Sequence, residues 1–516
     1  MLDRDPTIGQ NRPTMAYANL RDFIVKLEKE NRLIRVSAPV STYLEMTEIQ
    51  TRLLADGGPA VLFENAVGAD GAPQGMPVLA NLFGTVERVA WGMGKSPGEL
   101  REFGEQLAFL RQPEPPGGWR ETMEMLPLLK TVMAMKPKTI GNAPCQEVVL
   151  TGKEIDLGSL PVQTCWPDEP APLITWPLVV TQGVDGKSNI GIYRMQVTGR
   201  DTTLIRWLAH RGGAKHADDA ARGGSESVPA AAVIGADPAT IIAAVAPVPE
   251  TMSEYQFAGL LGGSKLALTD CKTIPLQVPA EAEIVIEGHV SLTEAGPEGP
   301  YGDHTGYYNA VEPFPIFTVS AITMRSDPIY LTTFTGRPPD EPSVLGRSLN
   351  DVFIPLLVQQ FPEIVDFWLP PEACSYRVAV VSIRKTYPGQ AKRIMMGVWS
   401  YLKQFMYTKF VVVVDEDIDA RKWEDVIWAI STNVDAARDV TTIENTPIDY
   451  LDFASPVEGL GSKMGIDATA KIGAETGREW GRKLQMSDDI IDEVTRKWSD
   501  YGLPGDGRDI WTSSGR

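Results

Sequence analysis

The sequence predicts a multidomain protein of the α+β / α/β class, with a β-rich middle part between two parts in which helices and strands alternate. Its 516 residues suffice for two or three domains that each bury a core. Amphipathic helices mark the first part, short β-rich runs mark the middle, and regular alternation returns in the last part. We therefore expect an N-terminal α/β domain over 1–125, a central domain over 126–335 and a C-terminal α/β domain over 336–516.

The first part contains a clear amphipathic helix. In NLRDFIVKLEKENRL, the apolar residues Leu20, Phe23, Ile24 and Leu27 fall on one helical face. A second helix is predicted over EMTEIQTRLLADGG, and a strand over PAVLFENA follows it. The Pro/Gly-rich segment RQPEPPGG at 111–118 predicts a connector near a domain edge.

The middle part predicts a β-barrel or sandwich with one or two inserted helices. Turn signals such as VDGK and TGRD separate its β-rich runs, which are EVVL, PLVVTQ, IGIYRMQV, TLIRWLA, AEIVIEGHV and IFTVSAITM. In the last part, helices near 344–360, 389–405 and 419–431 alternate with the strands YRVAVVSI, FVVVVD and DVTTIE, which predicts an α/β sheet layer. The polar helix SDDIIDEVTRKWSDYG closes the chain.

Composition excludes some classes of function. The net charge is −19, and no run of Lys and Arg occurs, so we expect no nucleic-acid partner. The four cysteines are scattered without a CxxC pair, which favours reduced thiols of a cytoplasmic protein. The first 16 residues have no apolar core and predict no signal peptide. The apolar stretch 229–249 contains the helix-start pair Asp237–Pro238, so it predicts strand, turn and helix and not a membrane span.

Polar side chains gather near the ends of two predicted strands. Asn189 and Arg194 lie in SNIGIYRMQV, and His210 ends the next strand beside Gly212. One interpretation is a hairpin with a polar face and a buried, hydrogen-bonded His; the other is a site for a phosphate or cofactor, with glycine leaving the room.

Glu254 follows Ser253, a predicted helix N-cap, so its charge could serve the helix terminus alone. Asn189, His210 and Glu254 together, with no thiolate, would also suit a divalent ion such as Mn²⁺ or Mg²⁺.

Two carboxylates, Glu298 and Asp303, lie five residues apart in EGPYGDHTGYYN. Beside an arginine, such a pair can keep one acid protonated and the other ionised, and can pass a proton to a carbanion-like carbon. The alternative is a glycine-rich turn in which Asp303 and Asn309 make local backbone hydrogen bonds.

Long blocks of the sequence resemble the UbiD family of reversible carboxy-lyases, which use prenylated FMN. NIGIYRMQV, RWLAHRGG, PVPETMSEY and AGPEGPYGDHTGYY carry the resemblance around the polar residues described above. LPVQTCWPDEPAPLITW, TGRPPDEPSVLG, AKRIMMGVWSYLKQFMYTKF and NTPIDYLDFASPVEGLGSKMGIDAT extend it from about residue 17 to about residue 480, with the ubiquinone-pathway branch as the nearest match. The resemblance implies that the central domain is a split β-barrel that binds the flavin, and that the C-terminal domain ends in an oligomerisation helix.

The resemblance also implies a role for individual positions. Asn189, His210 and Glu254 match the ligands of a metal, usually Mn²⁺, that holds the flavin phosphate, with K⁺ nearby in relatives. The positions that match cofactor contacts are Ile192, Tyr193, Arg194, Arg206, Trp207, Leu208, Arg211 and Gly212. Arg194, Glu298 and Asp303 match the catalytic residues, although many relatives carry Glu at the position of Asp303.

The implied activity is non-oxidative decarboxylation of 4-hydroxy-3-polyprenylbenzoate to 2-polyprenylphenol in ubiquinone biosynthesis. Alternatives are another aromatic or acrylic acid as substrate, an FMN redox enzyme, and a non-catalytic subunit of a quinone-making assembly. The resemblance further implies a flavin prenyltransferase as cofactor supplier, a homo-oligomer, with a hexamer expected, and peripheral association with the cell membrane. An apolar tail needs an apolar channel, for which RIMMGVWSYLKQFMY at 393–407 is a candidate; ordinary helix core is the alternative.

Overall fold

The structure, a computed structural model, describes residues 17–111, 132–207, 212–248, 252–401, 403–484 and 486–504. Within these residues the helices are α1 (Leu20–Lys29), α2 (Glu45–Ala55), α3 (Val86–Gly92), α4 (Leu100–Arg111), α5 (Gly212–Arg222), α6 (Pro238–Ala243), α7 (Glu254–Gly262), α8 (Glu341–Gln360), α9 (Gln390–Tyr401), α10 (Trp423–Asn433) and α11 (Asp488–Lys497). The strands are β1 (Leu33–Val36), β2 (Val40–Ser41), β3 (Ala60–Phe63), β4 (Ala66–Val67), β5 (Val78–Ala80), β6 (Lys138–Thr139), β7 (Val148–Thr151), β8 (Leu173–Ile174), β9 (Leu178–Gln182), β10 (Ser188–Ile192), β11 (Met195–Val197), β12 (Thr202–Ile205), β13 (Ser227–Ile234), β14 (Ala267–Asp270), β15 (Gln277–Pro279), β16 (Ile284–Glu298), β17 (Glu312–Met324), β18 (Tyr330–Leu331), β19 (Ile364–Trp368), β20 (Val378–Ile383), β21 (Phe410–Asp415), β22 (Val440–Pro447) and β23 (Leu460–Asp467).

Contacts divide the chain into two compact units, Met1–Leu349 and Asn350–Arg516. The domain boundaries expected after residues 125 and 335 stay predictions. Residues 112–118 of the expected Pro/Gly connector lie outside the described residues.

The first helix follows directly from local sequence. Asn19 is its N-cap, and the side-chain oxygen of Asn19 accepts a hydrogen bond from the backbone N–H of Asp22 at 2.9 Å. The predicted apolar face is buried, as expected from its spacing, and consists of Leu20, Phe23, Ile24 and Leu27. Each such side chain contributes about 1.5–3 kcal/mol when it is removed from water. The strand predicted over PAVLFENA is β3, which lies within a sheet of order β1-β3-β5-β18.

The central sheet must curl because two strands that are consecutive in sequence lie far apart in the strand order. Its strand order is β10-β9-β13-β16-β17-β12-β11-β8, so β10 and β11 are separated by six strand spacings. A flat sheet would place them about 29 Å apart. Only Tyr193 and Arg194 connect them, and three Cα steps reach about 11 Å at most. The sheet therefore curls into a half-barrel, which confirms the predicted split barrel and puts Arg194 at its seam.

Two details differ from the predicted strands. IGIYRMQV is interrupted at Tyr193–Arg194 because the chain leaves the edge strand β10 there and enters β11, which pairs with β12 and β8. The strand predicted over AEIVIEGHV continues to Glu298, with register shifts in its pairing to β17 that mark β-bulges. These bulges let one long strand follow the curvature of the half-barrel.

The apolar stretch 229–249 forms β13 and α6, as predicted. Asp237 caps α6: Oδ1 of its carboxylate accepts from the backbone N–H of Thr240 at 3.0 Å. Among the described residues, no helix combines the length and the apolar character that crossing a membrane would require.

The second unit is the predicted α/β layer. Its sheet has the order β19-β20-β21-β23-β22, in which β20, β21 and β23 are parallel. In α9, which lies in the candidate channel segment, Ile394, Met395, Val398 and Trp399 pack in the core of this unit, whereas Met396 is 56% exposed. The terminal helix α11 confirms the predicted element; its role in oligomerisation stays a prediction.

Candidate active site

Arg194 and Glu298 form a bidentate ion pair at the seam of the central sheet. Nε of Arg194 donates to Oε1 of Glu298 at 2.7 Å, and Nη2 donates to Oε2 at 3.1 Å. The Glu298 side chain has 0% exposure and that of Arg194 has 13%. The two residues are 104 positions apart, so the pair forms only because the sheet curls and brings the end of β16 to the β10–β11 link.

A second guanidinium reaches the same carboxylate. Arg206, which follows β12, donates from Nη1 to Oε2 of Glu298 at 2.6 Å and from Nη2 to Oε2 of Glu312 at 3.0 Å. Its backbone N–H also donates to the carbonyl oxygen of Arg194 at 3.2 Å. Glu298 thus accepts hydrogen bonds from two guanidinium groups, which hold its position and orientation more firmly than one ion pair would.

Asp303 lies in a compact loop between β16 and β17. Gly302 and Tyr308 form an isolated antiparallel bridge, and the N–H of Asp303 donates to the carbonyl oxygen of Tyr307 at 3.1 Å. The N–H of Gly306, whose φ of +79° favours glycine, donates to the carbonyl oxygen of Asp303 at 2.8 Å. These bonds fix the backbone from which the Asp303 carboxylate projects.

Arg194 ties this loop to the ion pair. Its Nη1 donates to Oδ2 of Asp303 at 3.1 Å, and its Nη2 donates to Oδ1 of Asn309 at 2.8 Å. Oδ1 of Asn309 also accepts from the backbone N–H of Tyr301 at 2.9 Å. The local turn bonds that formed the alternative interpretation are therefore present at Asn309, and they coexist with the acid–arginine cluster. The structure brings together Arg194, Glu298 and Asp303.

Asp303 is held in its ionised form. Burial acts to raise its pKa, but the hydrogen bonds and charge of His304 and the charge of Arg194 outweigh burial and lower the pKa of Asp303 to about 2. The ring Nδ1 of His304 lies 2.8 Å from Oδ1 of Asp303. At neutral pH this carboxyl group therefore carries no proton in the free protein.

A third acid, Glu169, is distant in sequence and accepts a hydrogen bond from the same loop. Its Oε2 accepts from the N–H of Cys165 at 2.6 Å, and its Oε1 accepts from the N–H of Gly302 at 3.4 Å. Burial raises the pKa of Glu169 to about 7, although these N–H donors and the charge of Arg194 act in the opposite direction. Glu169 therefore changes its charge in the physiological range.

A small cavity borders both Glu169 and Arg194. Its volume is about 20 Å³, enough for one water molecule. The residues that line it are Cys165, Trp166, Glu169, Leu173, Thr175, Arg194, Gly302 and Thr335. The guanidinium group thus faces a small, partly polar space beside the loop that carries Asp303.

Two of the three predicted metal ligands lie on adjoining elements. Oε2 of Glu254, the first residue of α7, accepts from the N–H of Ile190 at 3.2 Å, next to Asn189 on β10. The side-chain Nδ2 of Asn189 is buried and has no hydrogen-bond partner among the described residues. A Cβ added at Gly212 would lie 1.8 Å from Oδ1 of Asn189, so a larger residue there would displace the Asn189 side chain. Burial raises the pKa of Glu254.

This donor set fits a hard divalent ion. The side-chain oxygen of Asn189 and the buried carboxylate of Glu254 are the kind of oxygen ligands that Mn²⁺ and Mg²⁺ prefer, and a bound cation would offset the cost of burying the Glu254 charge. Ser253 caps α7 as predicted, so the structural role of Glu254 at the helix terminus also holds. His210, the third expected ligand, lies outside the described residues.

The predicted cofactor contacts are partly described. Leu208 and Arg211 lie outside the described residues. Tyr193 and Trp207 pack edge to face with ring centroids 6.3 Å apart, and the hydroxyl oxygen of Tyr193 accepts from the N–H of Gly213 at 3.1 Å. Nε1 of Trp207 is buried with no hydrogen-bond partner among the described residues. Its N–H could donate a hydrogen bond to a polar atom of a bound ligand.

Other members of the cluster escaped the sequence analysis. Arg206 was expected only as a cofactor contact, and Glu169, His304 and Glu312 were not singled out. Glu169 and Gly302 are 133 positions apart, so no local sequence pattern could have predicted their hydrogen bond. For His304, the density of polar residues in GDHTGYY was the available signal.

Comparisons with known proteins agree with this architecture. The UbiD family models for 3-octaprenyl-4-hydroxybenzoate carboxy-lyase match the chain in three segments: the N-terminal domain at 24–107, the Rift-related domain at 138–338 and the C-terminal domain at 343–468.

Solved structures match over almost the whole chain. The UbiD-class enzyme HmfF from Pelotomaculum thermopropionicum, in complex with FMN, is 30% identical with a TM-score of 0.76, and the match covers 94% of this chain and 100% of that one. An evolved dimeric form of that enzyme, in complex with prenylated FMN, is 29% identical with a TM-score of 0.74, covering 94% and 100%. The vanillic acid decarboxylase of Sedimentibacter hydroxybenzoicus in its closed form is 28% identical with a TM-score of 0.78, covering 94% and 98%.

Proposed function

The chain belongs to the UbiD family of carboxy-lyases, and from this membership we propose that it decarboxylates 4-hydroxy-3-polyprenylbenzoate to 2-polyprenylphenol in ubiquinone biosynthesis. The observation that carries the proposal is the buried cluster in which Arg194 binds both Glu298 and Asp303. A guanidinium between two acids suits a reaction that must hold a carboxylate and deliver a proton to carbon. The likeness to a vanillic acid decarboxylase supports an aromatic acid as substrate.

We propose prenylated FMN as the cofactor, because relatives have been solved with FMN and with prenylated FMN. When bound, the prenylated flavin supplies the electron sink that an aryl carbon needs when it loses CO₂. Ile192, Tyr193, Arg194, Arg206, Trp207, Leu208, Arg211 and Gly212 are the residues proposed to hold it. A second cavity, of about 290 Å³, borders Trp207 and the small side chains of α5, which supports room for a ligand in this region.

We propose that Asn189, His210 and Glu254 hold a divalent ion, Mn²⁺ or a similar cation, with K⁺ as a further candidate nearby. The buried Glu254 carboxylate next to Asn189 supports this proposal because a cation would offset the cost of burying that charge, and the unpartnered Nδ2 of Asn189 needs an acceptor that an oxygen of the cofactor phosphate would supply. The ion would anchor the cofactor phosphate, and its charge would keep Glu254 ionised.

In the proposed reaction, Arg194 binds the substrate carboxylate. Its Nε–H, both Nη2–H groups and one Nη1–H donate to Glu298, Asp303 and Asn309, which leaves one Nη1 hydrogen without a partner among the described residues. That hydrogen and the positive charge provide a binding site for an anionic substrate. The charge of Arg194 also helps to lower the pKa of Asp303.

Asp303 and Glu298 manage the proton. Asp303 is ionised in the free protein, so it must take up a proton during turnover before it can give one to the carbon that loses CO₂. An incoming carboxylate favours that uptake, because a neighbouring negative charge raises the pKa of a carboxyl group. Glu298 holds both guanidinium groups in place while this charge changes.

Two alternative activities differ from the proposed one in their substrates. A family member that acts on another aromatic or acrylic acid would use the same cluster and differ only in the substrate pocket. A flavin redox enzyme would oxidise NAD(P)H, which a UbiD-type decarboxylase does not consume. Because the chain supplies the complete acid–arginine cluster, we favour the decarboxylase over a redox enzyme or a non-catalytic subunit.

We also propose a homo-oligomer, with a hexamer as the expected size, and peripheral association with the cell membrane. The solved dimeric relative supports self-association in general. A polyprenylated acid partitions into lipid, so the enzyme must reach it at the membrane surface. A flavin prenyltransferase would supply the cofactor.

The central test is co-expression with a flavin prenyltransferase, followed by mass spectrometry of the bound cofactor and an assay of CO₂ release. We expect prenylated FMN in the protein and CO₂ from 4-hydroxy-3-polyprenylbenzoate. Protein produced without the prenyltransferase should be inactive with ordinary FMN. Turnover with unmodified FMN, or NAD(P)H oxidation in place of CO₂ release, would overturn the proposal.

A panel of acids separates the substrate alternatives. The long-tailed substrate, 4-hydroxybenzoate without a tail, vanillate and an acrylic acid should be compared by kcat/KM. We expect the long-tailed acid to be preferred. Preference for a tail-free acid would leave the decarboxylase assignment intact and reject the ubiquinone step.

A further inference from the structure

The loop that carries Asp303 also places an imidazole against its carboxylate. The ring Nδ1 of His304 lies 2.8 Å from Oδ1 of Asp303, and the backbone N–H of His304 donates to the same oxygen at 2.8 Å. On the basis of the proposed function, we infer that His304 is a proton relay that loads Asp303 from solvent at each turnover.

Decarboxylation creates the need for such a relay. Replacement of a carboxylate by hydrogen on carbon consumes one proton per turnover. The hydrogen bonds and charge of His304 and Arg194 overcome the effect of burial and leave the pKa of Asp303 at about 2. Asp303 therefore stores no proton between turnovers at neutral pH, and one must reach it in each turnover.

The geometry identifies His304 as that group. An ionised carboxylate only accepts hydrogen bonds, so Nδ1 of His304 must carry the hydrogen that lies between the two side chains. The His304 side chain is 19% exposed and that of Asp303 is 13% exposed, so the imidazole is the more exposed of the two groups. His304 thus places a solvent-contacting imidazole directly on the Asp303 carboxylate, and imidazole is the side chain that gains and loses a proton near neutral pH.

The proton balance is simple. The Nδ1–H bond of the His304 imidazolium breaks and an O–H bond forms on Asp303, which leaves a neutral imidazole and a neutral carboxylic acid. Asp303 then gives this proton to the ring carbon that has lost CO₂ and becomes a carboxylate again. The neutral imidazole takes a proton from water, and the resting charges are restored.

The loop holds this pair in a fixed electrostatic setting. Oδ2 of Asp303 accepts from Arg194, and the charge of His304 acts on Asp340, which precedes α8 and accepts from Ser343. Arg337 of the same segment packs on the loop: a Cβ at Gly306 would lie 3.0 Å from Cβ of Arg337. Among the described residues, the charged groups shown to act on His304 are Asp303 and Asp340, and Arg194 binds the same Asp303 carboxylate.

Two substitutions at His304 separate a relay from a purely positional role. In His304→Asn the amide N–H can occupy the place of Nδ1–H and keep the hydrogen bond to Asp303, but it cannot exchange a proton. In His304→Ala both functions are lost. We expect kcat to fall about tenfold or more in each variant while KM changes little, and added imidazole to restore part of the rate only in His304→Ala.

The pH profile and a control sharpen the test. Wild-type kcat/KM should fall at high pH as the His304–Asp303 pair loses its shared proton, and both variants should lose that limb. His289→Gln, an exposed histidine on the same strand as Glu298, should leave rate and profile unchanged. If His304→Asn keeps the wild-type rate and pH profile, His304 only positions Asp303 and the relay is rejected.

A measurement without turnover completes the test. The chain has four His, so the titration of each imidazole can be followed by NMR after isotopic labelling and assigned with single substitutions. Asp303→Asn should move the titration midpoint of His304 to lower pH by about one unit or more, because a contacting carboxylate favours the imidazolium. An unchanged midpoint would overturn the coupling. If Asp303→Asn is itself fully active, the proposed function fails; if only His304→Asn is fully active, the relay alone fails.

Discussion

Glu298→Gln tests the centre of the proposed mechanism with a change of one atom. The carboxylate accepts three hydrogen bonds, two from Arg194 and one from Arg206, and its side chain has 0% exposure. The amide of Gln keeps the size and shape of the side chain. It retains one acceptor oxygen, presents its NH₂ group to a guanidinium, and removes one negative charge that two cations share.

The structure sets the expected magnitudes. If the acid pair manages the proton, kcat should fall by about 10²-fold or more, which corresponds to about 2.7 kcal/mol in activation free energy. Breaking a buried ion pair from one side costs about 3–5 kcal/mol of stability. In Glu298→Gln, Arg194 retains its ion pair with Asp303 and Arg206 retains its ion pair with Glu312. We therefore expect a loss of about 3 kcal/mol in the free energy of unfolding, at the low end of this range.

Glu312→Gln is the matched control. It removes a carboxylate from Arg206, but Glu312 is 30% exposed and does not contact Arg194 in the described residues. We expect kcat to stay within about threefold of wild type and stability to change by less than about 1 kcal/mol. Metal and flavin contents should stay normal in both variants, because neither residue is proposed to hold them.

The decisive assay is solvent deuterium exchange at the carbon that would carry CO₂, measured on the phenol product by mass spectrometry. Wild type and Glu312→Gln should exchange this hydrogen at similar rates, and Glu298→Gln should exchange it more slowly by about 10²-fold or more. The assay reads proton transfer directly, and urea unfolding run in parallel reports the stability loss separately. Equal exchange rates in wild type and Glu298→Gln would show that the Glu298 carboxylate is structural and takes no part in the proton transfer.

Three further predictions concern the metal, the buried acids and the substrate channel. Glu254→Ala should lose metal and flavin together, as measured by elemental analysis and flavin absorbance; full cofactor content in this variant would reject the metal site. Burial raises the pKa of Glu341 to about 7 from an ordinary 4.5, so its contribution to stability is present below pH 4.5 and is lost as pH rises through 7. Relative to Glu341→Gln, wild type should therefore lose up to about 3 kcal/mol in free energy of unfolding between pH 4.5 and 8, and parallel pH profiles would contradict this. Met396→Trp, at the exposed face of α9, should change the ratio of long-tailed to tail-free acids turned over if 393–407 lines the channel; an unchanged ratio would support ordinary helix core.

Elements that depend on neighbouring residues were predictable from the sequence. The apolar spacing of α1 and the N-caps of α6 and α7 rest on contacts within a few positions, so the period and the capping residues Asp237 and Ser253 report them directly. The alternation of helices and strands in the C-terminal unit was predictable for the same reason. Family resemblance, carried by long blocks in fixed order, added the roles of Arg194, Glu298 and Asp303.

Only the tertiary structure decided how these residues meet. The two residues that join β10 to β11 force the sheet to curl, and this curl brings Arg194 to a carboxylate 104 positions away. The same closure recruits Arg206 to Glu298 and sets Glu169 against the loop of Asp303. Protonation follows from burial and from nearby charges, which is why one carboxyl group of the cluster has a pKa of about 2 and another of about 7. The sequence determined which acids and bases the site contains, and long-range packing determined which of them carry a proton.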